Sequence, residues 1–149
     1  METCIFCRIV AGEAHGHVVF KDQYCTAFLD IDSFNPGHTL VVPNHHVARL
    51  GDLTPEAGAH VIATTLRIAQ AIRLGDLSSE GFNLFMSDGE CAGQEVAHIH
   101  LHVLPRFSGD GIDVSLGRES LAPTPAALTA TAREIRKHMG CGNIELTPS

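Results

Sequence analysis

The chain has 149 residues, 44% of them hydrophobic, which is enough for one ordinary domain with a packed core and excludes a disordered chain. It carries 10 Lys and Arg residues against 17 Asp and Glu residues, so its formal charge is −7. A protein that grips a nucleic-acid backbone normally shows a basic patch. Because this chain has no basic run, we expect no nucleic-acid partner.

No apolar run approaches the roughly 18 residues of a membrane span, so we expect no membrane partner either. The N-terminal sequence lacks a basic start followed by an apolar stretch, and it therefore predicts no secretory signal. The cysteines number 5, and an odd count in such a chain indicates a reducing compartment rather than a disulfide framework. We expect a cytoplasmic protein.

Five segments have the length and composition of β-strands, and turn residues separate them. They cover residues 17–20, 25–31, 39–43, 82–87 and 98–104. The loop before the last of them contains glycines, which permit a ligand to approach the backbone closely.

The clearest helix is predicted over residues 53–76, where Thr54 can cap the N-terminus, Pro55 stands in the first turn and Gly75 ends the helix. Its predicted apolar stripe comprises Val61, Ile62, Leu66, Ile68, Ala69 and Ile72. A second helix is predicted over residues 124–140. Together these elements predict an α+β fold with a five-stranded, mainly antiparallel sheet, one long helix and a C-terminal helix.

Three histidines alternate with apolar residues in the last predicted strand. Residues two apart in a strand point to the same face, so His98, His100 and His102 form a row and the apolar residues between them point away. A single strand histidine is usually an ordinary hydrogen-bonded residue, but three in strict alternation indicate a function. Such a row suits either a metal site or nucleophilic catalysis, in which a neutral imidazole attacks phosphorus and a neighbour protonates the leaving group.

This row, with the apolar residues that follow it, resembles the signature of the histidine triad (HIT) family of nucleotide hydrolases and transferases. The likeness extends to the Gly-Gln segment at 93–96, to a ribose-binding strand at 27–31 and to a Gly-His-Thr-Leu-Val stretch at 37–46. It covers about residues 4–106 in the order of the family.

The resemblance also implies how the chain is organised. No linker is long enough to split the sequence, so we expect a single HIT-like domain over residues 1–149, with its core at about 4–106 and a C-terminal helical extension at about 107–149. Family members typically pair through a sheet edge, and an open edge gives a physical reason for such pairing. We therefore expect a homodimer.

By the resemblance, His100 attacks the α-phosphate, expels the leaving group and forms a nucleotidyl-histidine intermediate that water then hydrolyses. His102 would hydrogen-bond the phosphate and the leaving group, and His98 would support the geometry from the other side. The implied substrates are small nucleotides, namely nucleoside phosphoramidates, adenylates or dinucleoside polyphosphates. An imidazole with an ordinary pKa near ~6.5 is already mostly neutral at pH 7, as the attack requires.

The resemblance further implies a nucleotide pocket. The residues implied to bind the nucleotide are Phe6, Ile9, Phe28, Asp30, Ile31, Ser87, Gly93, Gln94 and Val96. Asp30 would accept hydrogen bonds from the ribose hydroxyls, and the apolar members, with Ile5, would line the base pocket. Ser87 is shorter than the amide side chain of relatives. Glu95 replaces a hydroxyl found in one branch of the family, and its carboxylate would repel a phosphate unless it turns away or the leaving-group preference differs.

Cys4 and Cys7 form a Cys-x-x-Cys motif, which alone is a weak signal for redox chemistry or metal binding. A subset of the HIT family combines such a motif with two histidines around a structural zinc ion. The zinc ligands implied here are Cys4, Cys7, His46 and His98. His45 and His46 are adjacent, and the family offset from Pro43 favours His46.

Two alternatives stay open at this point. A zinc ion in the histidine row could activate water directly, which predicts that a chelator abolishes turnover and that no covalent intermediate forms. The pocket could also belong to a non-catalytic nucleotide-binding scaffold protein, which would bind a nucleoside monophosphate without turnover.

Overall fold

The computed structural model describes residues 4–113 and 122–139, which fall into two compact units divided between Ile112 and Asp113. The first unit contains the helices α1 (Ile5–Ala11) and α2 (Pro55–Leu74). Its strands are β1 (Val18–Lys21), β2 (Cys25–Leu29), β3 (Thr39–Pro43), β4 (Gly81–Phe85) and β5 (Leu101–Arg106). These elements confirm the predicted α+β class, while the single domain over residues 1–149 stays a prediction.

The second unit contains α3 (Pro125–His138), close to the helix predicted over 124–140. The side chain of Thr124 caps it by accepting a hydrogen bond from Ala127 N at 3.2 Å. The predicted end of this helix at residue 140 lies outside the described residues. In the described parts of the chain, no helix is long and apolar enough to cross a membrane.

The five strands form one antiparallel sheet in the order β1-β2-β3-β5-β4. In the register of the central pair, Leu40 of β3 lies opposite His102 of β5. The strand predicted over 98–104 begins only at Leu101, because β3 ends at Pro43. The residues just before β5 therefore have no strand partner in β3. Their backbone forms hydrogen bonds outside the sheet, and Ile99 N donates to Val47 O at 2.7 Å. Thus only the third histidine of the row lies within the sheet.

Helix α2 packs on one face of the sheet, beginning at the Thr54 cap as predicted. The predicted apolar stripe is partly wrong, because Ile62 and Leu66 are 51% and 61% exposed. The residues that the helix buries are Val61, Thr64, Thr65 and Ile68. Two of the four buried positions are threonines. A pattern that counts only apolar residues therefore includes Ile62 and Leu66, which lie on the solvent-exposed side of the helix.

Among the described residues, buried hydrophobic side chains form two clusters. One includes Val61 and Ile68 of α2, and the other lies around α1. Its buried members are Phe6 of α1, Phe28 of β2, and Leu40 and Val42 of β3. The rings of Phe6 and Phe28 meet edge to face with centroids 5.3 Å apart. Helix α1 is capped at its C-terminus by Gly12, whose φ of 76° is left-handed. Three members of this cluster, Phe6, Phe28 and Leu40, form the apolar floor of the candidate active site.

Candidate active site

The nucleophile predicted from the sequence, His100, is held by the backbone of the same row. Its Nδ1 lies 2.7 Å from His98 O, and because a carbonyl oxygen only accepts, Nδ1 carries the proton. The other ring nitrogen, Nε2, therefore keeps its lone pair. The His100 ring is 6% exposed and packs edge to face on Phe6, with centroids 5.2 Å apart. His100 is thus fixed in the tautomer that a nucleophilic imidazole needs.

His102 is oriented by His38, a residue outside the set predicted from the sequence. The fully buried His38 places its Nε2 3.0 Å from His102 Nδ1. Phe34 N donates to His38 Nδ1 at 3.4 Å, so His38 carries its proton on Nε2 and donates it to His102. His102 in turn keeps its own proton on Nε2. A chain of hydrogen bonds thus makes His102 a donor.

The carboxylate of Asp30 lies beside this pair of histidines. Its Oδ2 is 3.6 Å from His38 Nδ1 and 3.9 Å from His102 Nδ1. Burial lowers the pKa of His38, and burial with the neighbouring His100 and His38 lowers the pKa of His102 to about 4. The Asp30 carboxylate opposes both shifts. Both rings are therefore neutral at pH 7, as the hydrogen-bond chain requires.

These depressed pKa values predict a loss of stability in mild acid. Between pH 6.5 and 4 the unfolded chain binds a proton on His102 that the folded chain does not, so the free energy of unfolding falls as pH falls through this window. For His102, partly exposed and faced by His100, His38 and Asp30, we expect a loss of about 2 kcal/mol between pH 7 and pH 5. Urea unfolding across this range should show a shallower pH slope for His102→Gln. A matched His45→Gln variant should keep the wild-type slope, and equal slopes for all three proteins would contradict the assignment.

A cavity of about 530 Å³ opens over these histidines. Eight of the nine residues predicted to bind the nucleotide line it, namely Phe6, Ile9, Phe28, Asp30, Ile31, Ser87, Gly93 and Val96. Phe6 and Phe28 are buried, whereas Ile31 is 94% exposed and so belongs to the rim. The size and the apolar floor are typical of small-molecule sites.

Gln94 is the predicted nucleotide residue that the cavity lining does not include. Its side chain instead accepts a hydrogen bond from Gly89 N at 2.8 Å and donates one to Ala48 O at 3.0 Å. Gly89 has a φ of 89°, and a Cβ there would collide with the Arg49 guanidinium. Gln94 therefore fixes the shape of the loop over residues 88–97, which precedes the histidine row.

Residues outside the set predicted from the sequence also line the cavity. These are His15, Gly16, Leu29, Asp32, Phe34, Leu40 and Phe85. The Phe85 ring stacks on His102 with centroids 4.2 Å apart. His38 lies inside the 37–46 stretch that carries the family resemblance, and Phe34 lies three residues before it, so this stretch is the available signal for both.

The four residues implied as zinc ligands lie together at the other end of the row. Their ligand atoms, on Cys4, Cys7, His46 and His98, are all within 4.8 Å of one another. Cys7 Sγ is 3.3 Å from His46 Nδ1 and 3.5 Å from His98 Nδ1. Tetrahedral zinc with ordinary bond lengths places sulfur and nitrogen ligands about 3.6 Å apart. The residues therefore fit a zinc ion.

The surroundings of the four residues support the same fit. His98 Nε2 donates to Pro43 O at 3.0 Å, which leaves its Nδ1 lone pair facing the cysteines. Burial, and then the adjacent Cys4, raise the pKa of the Cys7 thiol, because a second sulfur charge nearby opposes ionisation. A divalent cation would relieve that repulsion. A second group comprises Asp30, His38 and His102, but there His38 and His102 are already hydrogen-bonded to each other, with the Asp30 carboxylate beside them.

Comparison with known proteins identifies the family. The HIT domain model matches residues 11–109. An uncharacterized HIT-like protein of Methanocaldococcus jannaschii is 40% identical over 114 residues, covering 76% of this chain and 87% of the relative. The crystal structure of a HIT family member from Bacillus subtilis matches with a TM-score of 0.85 at 33% identity, over 94% of this chain and 99% of that one. The chain belongs to the HIT family, as its histidine row predicted.

Other relatives bear on the metal and the chemistry. The crystal structure of a zinc-bound histidine triad family protein from Mycobacterium smegmatis matches with a TM-score of 0.73 at 37% identity, over 91% of this chain and 97% of that one. An adenylylsulfatase of Arabidopsis thaliana is 33% identical, over 79% of this chain and 60% of its own length. An adenosine 5′-monophosphoramidase of Saccharomyces cerevisiae is 34% identical, over 69% of this chain and 62% of its own length.

Proposed function

We propose that the protein is a hydrolase that cleaves the α-phosphate bond of nucleoside phosphoramidates, adenylates or dinucleoside polyphosphates through a nucleotidyl intermediate on His100. The observation that carries the proposal is the hydrogen bond of 2.7 Å between His100 Nδ1 and His98 O, which leaves Nε2 free to attack at the cavity. The two enzymatic relatives, whose names refer to adenylyl and adenosine monophosphate groups, support the same class of substrate.

The cavity accounts for binding in three parts. The buried rings of Phe6 and Phe28, with Ile9, form an apolar slot for the base. The Asp30 carboxylate, which lines the cavity, is the acceptor for the ribose hydroxyls. The α-phosphate then lies at His100. These contacts hold the phosphorus near the nucleophile. Binding thereby offsets the entropy that two separate reactants would lose on meeting.

The chemistry proceeds in two displacements at phosphorus. The His100 Nε2 lone pair forms a bond to phosphorus, and the bond to the leaving atom breaks with its electron pair on that atom. The leaving atom takes up one proton, and water gives one up when it later displaces His100, so protons balance over the cycle. His102, whose ring centroid is 4.9 Å from that of His100, is positioned to hydrogen-bond the departing atom.

We propose a structural role for zinc. Cys4, Cys7, His46 and His98 would hold the ion. When bound, zinc would cross-link α1, the segment after β3 and the start of the histidine row. Because these residues already supply four ligands, the set resembles a closed structural site and disfavours the alternative of a zinc-activated water. His98 would then be fixed on both ring nitrogens and so hold the carbonyl that orients His100.

We also propose a homodimer and a cytoplasmic location. β4 is an edge strand of the sheet, with Leu84 47% exposed. α2 presents the exposed Ile62 and Leu66. Apolar side chains on an edge strand and a helix give a reason for pairing between copies. Light scattering at micromolar concentration tests this, and a monomer would contradict it.

Intact-protein mass spectrometry tests the covalent step. The protein is mixed with an adenosine 5′-phosphoramidate and quenched early under mildly alkaline conditions that preserve a phosphorus–nitrogen bond. We expect a transient adenylate adduct on the wild type and none on His100→Ala. Turnover that proceeds without an adduct and ceases with a chelator would instead support a zinc-activated water. Nucleotide binding without turnover would support the scaffold alternative.

Loss of the His38 donor should slow the chemistry and not weaken binding. In His38→Leu, His102 Nδ1 has no donor and its tautomer is no longer fixed, so we expect kcat to fall about tenfold to a hundredfold with KM nearly unchanged. His38→Gln, whose amide N–H can donate, should recover part of the loss. Circular dichroism checks the fold of both. Equal kcat values for the two variants would contradict an orienting role for His38.

A further inference from the structure

The cavity that contains His100 carries negative charge without a compensating cation. Asp30, Asp32 and Glu95 line it, whereas no lysine or arginine does so among residues 4–113 and 122–139. A nucleotide brings a negative phosphate of its own. A substrate whose leaving group added more negative charge would therefore meet repulsion here, whereas a cationic group would be attracted.

Two of the three carboxylates belong to the turn that follows β2, and Asp30 is already engaged there. Its Oδ1 accepts a hydrogen bond from Asp32 N at 3.0 Å, and its Oδ2 lies beside His38 and His102. Glu95 is exposed, as Asp32 is, but it lies on the loop before the histidine row. Within the described parts of the chain it has no hydrogen bond or ion pair. Its carboxylate is therefore free to contact a ligand.

The position of Glu95 indicates which part of the substrate it meets. The buried Phe6 and Phe28 define the floor of the cavity, where the base binds, and His100 is 6% exposed. The group on the far side of the phosphate must extend towards solvent, where the exposed lining residues lie. Resting on the proposed function, we propose that Glu95 is a specificity residue that selects leaving groups carrying a positive charge, such as an alkylammonium.

A remote ammonium has the same charge in the bound substrate and in the transition state. Its attraction to Glu95 is therefore uniform binding, which lowers KM and leaves kcat unchanged. An exposed pair of this kind contributes a factor of about five at most. The preference should weaken as salt is added, because exposed charges are screened.

The experiment compares two adenosine 5′-phosphoramidates of nearly equal shape. One releases 1,4-diaminobutane, which keeps a terminal ammonium, and the other releases pentylamine, which ends in a methyl group. The ratio of kcat/KM for the cationic over the neutral substrate is measured for the wild type, Glu95→Gln and Glu95→Lys. Glu90→Gln is the matched control, because Glu90 is an exposed carboxylate of the same loop that does not line the cavity.

We expect this ratio to fall by up to about fivefold in Glu95→Gln, through KM, and to fall further in Glu95→Lys, where the charge is reversed. The control should keep the wild-type ratio and its salt dependence. Ratios that are equal in all four proteins, with both substrates hydrolysed, would overturn the role of Glu95 and leave the proposed function intact. Failure of the wild type to hydrolyse either substrate would overturn the proposed function and this inference together.

Discussion

A His100→Ala variant should lose about ten-thousand-fold in kcat/KM for an adenosine phosphoramidate. In the proposed mechanism the wild type divides the reaction into two displacements at phosphorus, and the variant has no lone pair at the position from which the first must come. Because Phe6, Phe28 and Asp30 remain, the variant should still bind a nucleoside monophosphate. Its dissociation constant should stay within a few-fold of the wild type, since the residues proposed to contact the base and the ribose are unchanged.

Steady-state kinetics and calorimetric titration with adenosine monophosphate measure the two quantities separately. His45→Ala is the control, because His45 is an exposed histidine outside the cavity. It should keep wild-type turnover. A His100→Ala variant with a tenth or more of the wild-type kcat/KM would show that another group attacks phosphorus. A variant that lost binding as well would show that His100 supports the cavity itself.

The fold could be predicted because its signals are local. Alternating apolar strands and a helix with a threonine cap and a terminal glycine are set by backbone geometry, and α2 and β3 appear where these signals place them. The start of β5 could not be predicted in this way. It depends on the end of its partner at Pro43, a long-range contact that alternation in residues 98–104 does not report.

The same distinction between local and long-range signals applies to the candidate site. The histidine row and the Cys-x-x-Cys motif are visible in the sequence because their spacing is short. His38 was not assigned a role, because its contact with His102 joins residues 64 apart, and nothing in its immediate neighbours shows that contact. Gln94 was assigned to the nucleotide, yet its amide bonds backbone groups of Gly89 and Ala48. An amide suits either role, and only the fold distinguishes them.

Removal of zinc, or the substitution Cys7→Ser, should destabilise the first unit by about 3 kcal/mol or more. In the proposed zinc site, one ion would hold together four ligands from α1, the segment after β3 and the start of the histidine row, and binding energy of this kind becomes folding energy. Thermal unfolding, with metal content measured by plasma mass spectrometry, should show a lower Tm in step with zinc loss. Cys91→Ser, at an exposed cysteine outside the four-residue set, should keep both zinc and Tm.

Loss of zinc should reduce activity without abolishing it. This result would distinguish a structural zinc ion from a catalytic one. Without the ion His98 still donates to Pro43 O, and His98 O still orients His100, although less firmly. We expect kcat to fall about tenfold, as is usual when a supporting contact to a site is removed. The adenylate adduct on His100 should still form. Immediate and complete loss of turnover and adduct in folded, zinc-free protein would mean that the metal takes part in the chemistry. A Tm that zinc removal leaves unchanged would mean that these four residues do not hold a structural ion.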